Sequence, residues 1–203
     1  DVGANLCSNA RELLEFAIVG SIQASVVSGI GKPRVALLNV GHEEHKGTAI
    51  IREAAQLLQQ TESLNYVGFV EGNEIFTDKA DVVVCDGFSG NITIKTSAGV
   101  VRVIEQMLKQ SVSSSFFSRL LGLLASPLLR QLRAQIDPAQ FNGASVLGLQ
   151  GIIVKSHGHA HSTAFFFAIE QALKEVIDCV PSLITRRMEA LQLTHGEVLA
   201  TQD

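Results

Sequence analysis

The chain has 203 residues, a net charge of −4 and an apolar fraction of 46%. This composition is typical of a globular protein that can bury a sizeable core, and it argues against disorder and against general nucleic-acid binding. The three cysteines are far apart and show no paired spacing, which favours reduced thiols in a cytoplasmic protein. No apolar run reaches the roughly 18 residues that a membrane-spanning helix needs.

The first half of the chain alternates predicted helices and strands. Ser8 or Asn9 can cap a first helix, and the continuous apolar run at residues 34–40 predicts a buried parallel strand. Further apolar runs at residues 65–70 and 81–85 predict two more strands. Polar loops containing glycine follow these strands. We therefore expect an α/β domain with a largely parallel sheet, in which ligands bind at the carboxyl ends of the strands.

The second half continues with the segment GIIVKSHG at residues 151–158, which predicts a strand that leads into the loop Lys155-Ser156-His157-Gly158. A helix rich in alanine and phenylalanine is expected to follow, from Ser162 to about residue 178. Pro181 is then expected to precede a last amphipathic helix. Lys155 and its neighbours would form another polar loop at the end of a strand.

The turn at residues 86–91, with the sequence DGFSGN, is a candidate anion site. Its two glycines would let backbone amides approach a ligand closely. Ser89 or Asn91 at a helix start would add a cap and the positive end of the helix dipole. Asp86 could hold a metal, a lysine or a ligand hydroxyl. The alternative is a plain loop with an ordinary cap, since the turn matches neither the dinucleotide nor the Walker motif.

Residues 42–46, with the sequence HEEHK, form a dense polar loop. Adjacent loop positions rarely converge on one metal ion, so we interpret His42, Glu43 and His45 as a solvated loop. Glu44 and Lys46 are stronger candidates, because Lys46-Gly47-Thr48 opens a helix and could face an anion.

Three histidines alternate in SHGHAHS, at residues 156–162. A zinc site is disfavoured, because no cysteine or carboxylate lies nearby in the sequence. His157 beside Lys155 is a better candidate for anion binding or proton transfer. Cys85 ends a predicted buried strand without an identifiable base, so we interpret it as a structural cysteine.

Residues 111–137 are expected to form an inserted amphipathic helical hairpin. The segment is rich in leucine and phenylalanine and contains arginines but no acid before Asp137, and Pro127 is expected to divide it. Such a segment favours contact with an anionic membrane surface, whereas the alternative is a dimer interface or a buried helix. The expected membrane-contacting residues are Phe116, Phe117, Leu120, Leu121, Leu124 and Leu128.

Several segments together resemble one family, the acyl-[acyl-carrier-protein]:phosphate acyltransferases of bacterial phospholipid synthesis. Their order and spacing run across nearly the whole chain. The matching segments are DVGAN at residues 1–5, RVALLNVG at 34–41 with the following EE-x-KG, NYVGFVEGNE at 65–74, VVVCDGFSGNITIKTSAGVV at 82–101, NGASVLGLQGIIVKSHG at 142–158 and AFFFAIEQA at 164–172.

The resemblance implies a Rossmann-like three-layer αβα fold with a mostly parallel sheet, related to phosphotransacetylases and isocitrate dehydrogenases. It implies that inorganic phosphate attacks the thioester of an acyl carrier protein, with no cofactor or metal. It also implies a homodimer bound peripherally at the inner face of the cell membrane. The chain lacks two N-terminal segments of the family. We therefore expect residues 1–203 to be a single α/β domain from the C-terminal part of a longer enzyme, and this part alone can be inactive.

For this reaction we assign catalytic roles to His157, Lys155 and Asp86. His157 would donate to the oxyanion or to the leaving thiolate, and Lys155 would help to hold phosphate. The phosphate- and substrate-binding residues would be Asn5, Lys46, Gly87, Ser89, Gly90, Asn91, Asn142 and Ser156. Two alternatives stay open: a short-chain phosphotransacetylase that uses acyl-coenzyme A, and a non-catalytic module that binds membrane or carrier protein.

Overall fold

The computed structural model describes residues 1–113, 143–156 and 160–200. Helices and strands alternate in the order that the sequence predicts. The elements are α1 (Ala10–Ser28), β1 (Arg34–Leu38), α2 (Ala49–Gln60), β2 (Asn65–Val70), β3 (Val82–Val84), α3 (Gly87–Ser113), β4 (Ala144–Ser145), β5 (Val154–Lys155), α4 (Ser162–Ile177) and α5 (Val180–Ala200).

Strands β1, β2 and β3 form a parallel sheet in the order β2-β1-β3. Val35 of β1 pairs with Tyr66 of β2 on one side and with Val82 of β3 on the other. The register with β2 shifts between Val35 and Leu37, which marks a bulge. Because the strands are parallel, the loops that follow them meet at one edge of the sheet. This confirms the predicted Rossmann-like α/β fold.

Helices α1 and α2 pack against each other and against the sheet. Val35 and Leu37 of β1 are fully buried in this core, and Ala36, which points to the opposite face, is fully buried as well. Burial on both faces explains why this strand is apolar from Val35 to Leu38. The helical residues of the core are Ala10, Leu13, Leu14, Ala17, Ile18, Ala54, Ala55 and Leu58.

Helix α1 begins with a capping box at Asn9, one of the two predicted caps. The Asn9 side chain accepts from the Glu12 amide at 2.9 Å, and the Asn9 amide donates to the Glu12 carboxylate at 2.8 Å. These two bonds satisfy amides that the first helical turn leaves without partners.

The strand predicted to lead into Lys155 is shorter than expected and includes Lys155 itself. Within the described residues 151–156, Val154 and Lys155 form the strand, and it pairs antiparallel with β4 in a separate two-stranded sheet. The apolar run that suggested this strand includes Ile153, which is 54% exposed. An apolar run does not specify which strand it pairs with, and this explains the error.

Two further predictions have different outcomes. Pro181 lies within the first turn of α5 and does not precede it; this turn tolerates proline because its amides have no helical acceptor. The inserted hairpin falls almost entirely on residues 114–142, outside the described part of the chain, and stays a prediction. No helix within the described ranges is both long enough and apolar enough to cross a membrane.

Candidate functional site

The carboxyl edge of the sheet carries most of the predicted site residues that the structure describes. The loop after the central strand β1 contains Lys46, and the turn after the neighbouring strand β3 contains Asp86, Ser89 and Asn91. Neighbouring strands lie about 4.8 Å apart, so these two loops start side by side at this edge. The structure therefore confirms that polar loops gather at this edge.

Asp86 caps the turn from which α3 starts. Its carboxylate accepts from the Ser89 amide at 2.7 Å, and its backbone carbonyl accepts from the Gly90 amide at 3.0 Å. The expectation that Ser89 or Asn91 would be the cap is wrong, because both lie inside the first two turns of the helix. An aspartate at this position also places negative charge at the positive end of the helix dipole.

The N-terminal residues 1–5 form a second turn, which packs on the start of α3. The Asp1 carboxylate accepts from the amides of Gly3, Ala4 and Asn5, each at 2.8 Å. The Asn5 carbonyl then accepts from the Gly87 amide at 2.8 Å. The structure thus brings together two sequence motifs that lie more than 80 residues apart, and Asn5 reaches the predicted site.

Gly87 and Gly90 are needed for this close approach of the two chain segments. A Cβ on Gly90 would lie 1.8 Å from the Asp1 carbonyl oxygen, and a Cβ on Gly87 would lie 2.6 Å from the Asn5 carbonyl oxygen. The sequence reasoning explained both glycines by the approach of a ligand, and chain packing accounts for them equally well. The amides of Gly87, Ser89 and Gly90 already donate to protein acceptors.

The loop that carries Lys46 is held by Asn39, which the sequence reasoning did not select. Asn39 is 8% exposed; its side chain donates to the Lys46 carbonyl at 3.3 Å and accepts from the Val40 amide at 2.9 Å. Gly47 has φ +83°, and a Cβ there would lie 2.2 Å from the Asn39 side-chain oxygen. The sequence signal that could have identified Asn39 is its position at the end of a buried strand. Lys46 itself is exposed at the edge of the sheet.

His42 joins the loop after β1 to the loop after β2. Its Nε2 lies 2.9 Å from the Glu74 carboxylate and its Nδ1 lies 3.0 Å from the Phe69 carbonyl oxygen. Lys79 donates to Glu74 as well, and this bond, with the Glu71 amide, lowers the pKa of Glu74 to about 2. The solvated-loop interpretation is therefore incomplete for His42, which is exposed yet holds two loops together.

Cys85 lies directly before the turn at residues 86–91 from which α3 starts, here named the α3 turn, and it is half-buried. Its Sγ is 3.6 Å from the Asp1 carbonyl oxygen, and burial raises the pKa of the thiol. A raised pKa lowers the fraction of thiolate at neutral pH, and the thiolate is the nucleophilic form. These features support the interpretation of Cys85 as a structural residue.

The remaining predicted site residues lie elsewhere or outside the described residues. Lys155 is exposed in β5. The main contacts of β5 are with β4 and α4, and they do not connect Lys155 to the α3 turn. Ser156 follows it and is half-buried. His157 and Asn142 lie outside the described residues. His161, the last histidine of the alternating set, is the N-cap residue of α4.

A buried carboxylate that the sequence reasoning missed holds the second sheet in place. Glu175 of α4 is 2% exposed, and one of its oxygens accepts from Gln23 at 2.7 Å, from Gln171 at 3.1 Å and from the Ser145 hydroxyl. These bonds tie β4 to α1 and α4. The sequence signal that could have identified Glu175 is its helical spacing from Ala164 and Gln171, which places all three residues on the buried face of α4.

Comparisons with known proteins agree on one family. A family model described as fatty acid synthesis protein matches residues 1–182. The curated phosphate acyltransferase of Pseudoalteromonas atlantica is 48% identical over 196 residues, which cover 97% of this chain and 58% of the relative. That of Alkalilimnicola ehrlichii is 50% identical over 191 residues, covering 94% of this chain and 56% of the relative.

The phosphate acyltransferase of Moritella marina is 52% identical over 176 residues, which cover 87% of this chain and 52% of the relative. The chain therefore spans about half the length of the curated relatives it matches. The match of the family model covers most of the chain, and the turns at residues 1–5 and 86–91 lie within it and in contact with each other. The chain belongs to the fatty acid synthesis protein family, as its resemblance to phosphate acyltransferases predicted.

Proposed function

We propose that the chain is part of an enzyme that transfers a long-chain acyl group from acyl carrier protein to inorganic phosphate, for fatty acid and phospholipid synthesis. The observation that carries the proposal is the 45–52% identity to curated phosphate acyltransferases. In this proposal residues 1–203 are one α/β domain, into which residues 111–137 are inserted as a hairpin.

The α3 turn supplies the phosphate site in this proposal. The start of a long helix offers a positive dipole end to an anion, and the side chains of Ser89 and Asn91 lie in its first two turns. Lys46 adds a positive charge from the adjoining loop. Asp86 acts through the cap, Gly87 and Gly90 let the two turns pack, and Asn5 orients the substrate from the facing turn.

The reaction needs no covalent enzyme intermediate, because phosphate is itself a competent nucleophile. A phosphate oxygen attacks the thioester carbonyl, the carbon–oxygen bond forms, and the carbon–sulfur bond breaks as the tetrahedral intermediate collapses. Lys155 and His157 stabilise the oxyanion, and His157 gives its proton to the leaving thiolate. Asn142 and Ser156 orient the acyl group.

A chimera tests the activity. The matching segment of the Pseudoalteromonas atlantica relative is replaced by this chain, so that the protein has the relative's full length. We expect phosphate-dependent release of free thiol from palmitoyl acyl carrier protein, with acyl phosphate as the second product. A folded chimera that uses acetyl-coenzyme A instead would support a short-chain phosphotransacetylase. A folded chimera without either activity, beside an active relative, would support a binding module.

Two substitutions in the chimera test the mechanism. His157→Ala is expected to lower kcat by at least about a hundredfold, the usual contribution of a general acid. Cys85→Ala is the matched control and is expected to leave turnover unchanged. Normal turnover after His157→Ala rejects the role of His157, and complete loss in a folded Cys85→Ala variant rejects direct attack by phosphate.

We further propose that the enzyme binds the inner face of the cytoplasmic membrane through Phe116, Phe117, Leu120, Leu121, Leu124 and Leu128. The support is the apolar and cationic composition of their segment. Flotation with anionic liposomes tests this: Leu120→Glu with Leu124→Glu is expected to abolish binding. Leu149→Glu, at an exposed leucine outside the segment, is the control. Unchanged flotation of the double variant rejects the membrane contact.

A homodimer is the last part of the proposal. The resemblance supports it, and so does the exposed apolar face of α4, on which Ile169 and Leu173 are 54% and 55% exposed. Native mass spectrometry of the chain and of Ile169→Glu with Leu173→Glu tests it. A dimer that becomes a monomer in the double variant is expected, and a monomeric unmodified chain contradicts it.

A further inference from the structure

A cavity of about 410 Å³ lies at the opposite end of the sheet from the α3 turn. Its ends are formed by the loops that lead into β1 and β2, at Pro33 and Leu64. Its long walls are α1 and α5, which pack against each other. The cavity therefore lies at the amino ends of the strands, and it is separate from the proposed reaction site at their carboxyl ends.

The floor of the cavity is apolar. Ile18 and Ile22 contribute one stripe from α1, and Leu183 contributes from α5. Ile18 and Leu64 are 2% and 8% exposed, so the floor is continuous with the hydrophobic core. Such a surface favours an apolar group of a ligand, and the volume falls within the range of small-molecule sites.

The rim of the cavity is cationic. Lys32 lies on the loop before β1, and Arg186 and Arg187 follow Leu183 on the same stripe of α5. Within the described part of the chain, none of these three cations makes an ion pair and no acidic side chain lines the cavity. The hydroxyls of Ser21 and Ser25 add hydrogen-bond donors on the α1 side.

Arg34, at the same end of the sheet, contrasts with these cations. It lies next to Pro33, and its guanidinium is 2.8 Å from the Asp78 carboxylate and 2.9 Å from the Asp81 carboxylate. Asp78 and Asp81 are therefore already paired. In a chain with a net charge of −4, three cations around a cavity with an apolar floor make a local region that favours an anion.

We propose that this cavity, here named the cationic cleft, binds a single-chain amphiphile with an anionic head group. The head group, a carboxylate or a phosphate monoester, lies against Arg186, Arg187 and Lys32, because a guanidinium binds such groups with two parallel hydrogen bonds. The alkyl chain lies on Ile18, Ile22 and Leu183. The site is distinct from that of the proposed reaction and does not depend on it.

Calorimetric titration of the 203-residue chain tests the ligand chemistry. The probes are decanoate and decyl phosphate, each below its micelle concentration, with decanol and inorganic phosphate as comparators. The cleft predicts that at least one of the two amphiphilic anions binds, and which of them binds identifies the head group. Decanol and inorganic phosphate are each expected to bind at least about tenfold more weakly. Equal binding of decanol or of inorganic phosphate, or no binding of either anion, overturns the proposal.

A matched pair of variants tests whether the ligand binds at the cationic cleft. Arg186→Gln with Arg187→Gln is expected to weaken binding of the tighter anion at least about tenfold. Arg11→Gln with Arg102→Gln makes the same change in net charge at exposed positions outside the cleft, and we expect it to leave the affinity unchanged. Thermal unfolding followed by circular dichroism verifies that both variants fold. Equal affinity in the two variants overturns the assignment to the cleft.

Discussion

The carboxyl end of the parallel sheet and the cationic cleft at its amino end differ in how their polar groups are satisfied. At the carboxyl end, the carboxylates of Asp1, Asp86 and Glu74 each accept hydrogen bonds from groups of the chain itself. At the amino end, the cations of the cationic cleft make no ion pair within the described residues. Polar groups that hold one another build a rigid site, whereas cations without partners are available to a ligand.

This difference changes how a loss of activity at the carboxyl end should be interpreted. Substitutions in the turns at residues 1–5 and 86–91 remove contacts that hold the site together as well as groups that could touch a substrate. A stability measurement must therefore accompany every activity measurement there. At the cationic cleft the two effects separate, because the cations contribute little to the packing.

The largest effect on stability is expected from Gly90→Ala at the carboxyl end. The added methyl would clash with the Asp1 carbonyl oxygen, and such overpacking costs about 1–3 kcal/mol. Gly99→Ala lies on the same helix with no atom within 4 Å of the new Cβ, and it is expected to stabilise by about 0.5–1 kcal/mol. Urea denaturation measures both. Equal effects would show that the two turns do not pack together.

Asp86→Ala is expected to cost about 1 kcal/mol of unfolding free energy, because it removes the cap of α3. Asp86→Asn keeps a side-chain oxygen that can accept from the Ser89 amide, and it should recover most of this loss. The same denaturation experiment compares the two. Equal destabilisation by both variants would indicate that charge, and not the cap, is the important property.

Acid is expected to weaken both ends of the sheet. Lys79 and the Glu71 amide lower the pKa of Glu74 to about 2, and hydrogen bonds from Arg34 lower the pKa of Asp81 to about 2. A lowered folded-state pKa stabilises the fold above the ordinary pKa, near 4, and this contribution is lost as the pH falls towards 2.

Free energies of unfolding, measured from about pH 5 to about pH 2, test this expectation, because this range spans the ordinary pKa values of carboxyl groups. Glu74→Gln and Asp81→Asn should each reduce the slope of stability against pH. A slope that neither variant changes would contradict the assignment of these carboxylates.

The smallest effect on stability is expected at the cationic cleft. Arg186→Gln with Arg187→Gln removes no ion pair, so the free energy of unfolding should change by less than about 0.5 kcal/mol. Arg34→Gln is the contrasting variant, because Arg34 pairs with Asp78 and Asp81, and it should destabilise more. A large loss in the cleft variant would mean that its arginines have a structural role.

The sequence predicted the parts of the fold that depend on local patterns. The continuous apolar run of β1, the cap at Asn9 and the gathering of polar loops at the carboxyl edge are all confirmed. Each depends on residues that lie close together in the chain, where periodicity and turn chemistry are strong signals.

Contacts between distant residues could not be predicted in this way. The packing of residues 1–5 on the α3 turn, the bridge from His42 to Glu74 and the bond from Gln23 to Glu175 each join elements that a pattern does not pair. The short β4–β5 sheet was missed for the same reason, since an apolar run does not show its partner.

The most direct test of the proposed reaction site is the phosphate dependence of acyl phosphate formation by the chimera. Ser89→Ala removes a hydroxyl in the first turn of α3, and Ser97→Ala removes one further along the same helix. We expect Ser89→Ala to lower kcat/KM for phosphate at least about tenfold, which corresponds to one lost hydrogen bond to a charged group. Ser97→Ala should leave this value unchanged. Equal kcat/KM for phosphate in the two variants would contradict the placement of phosphate at the α3 turn.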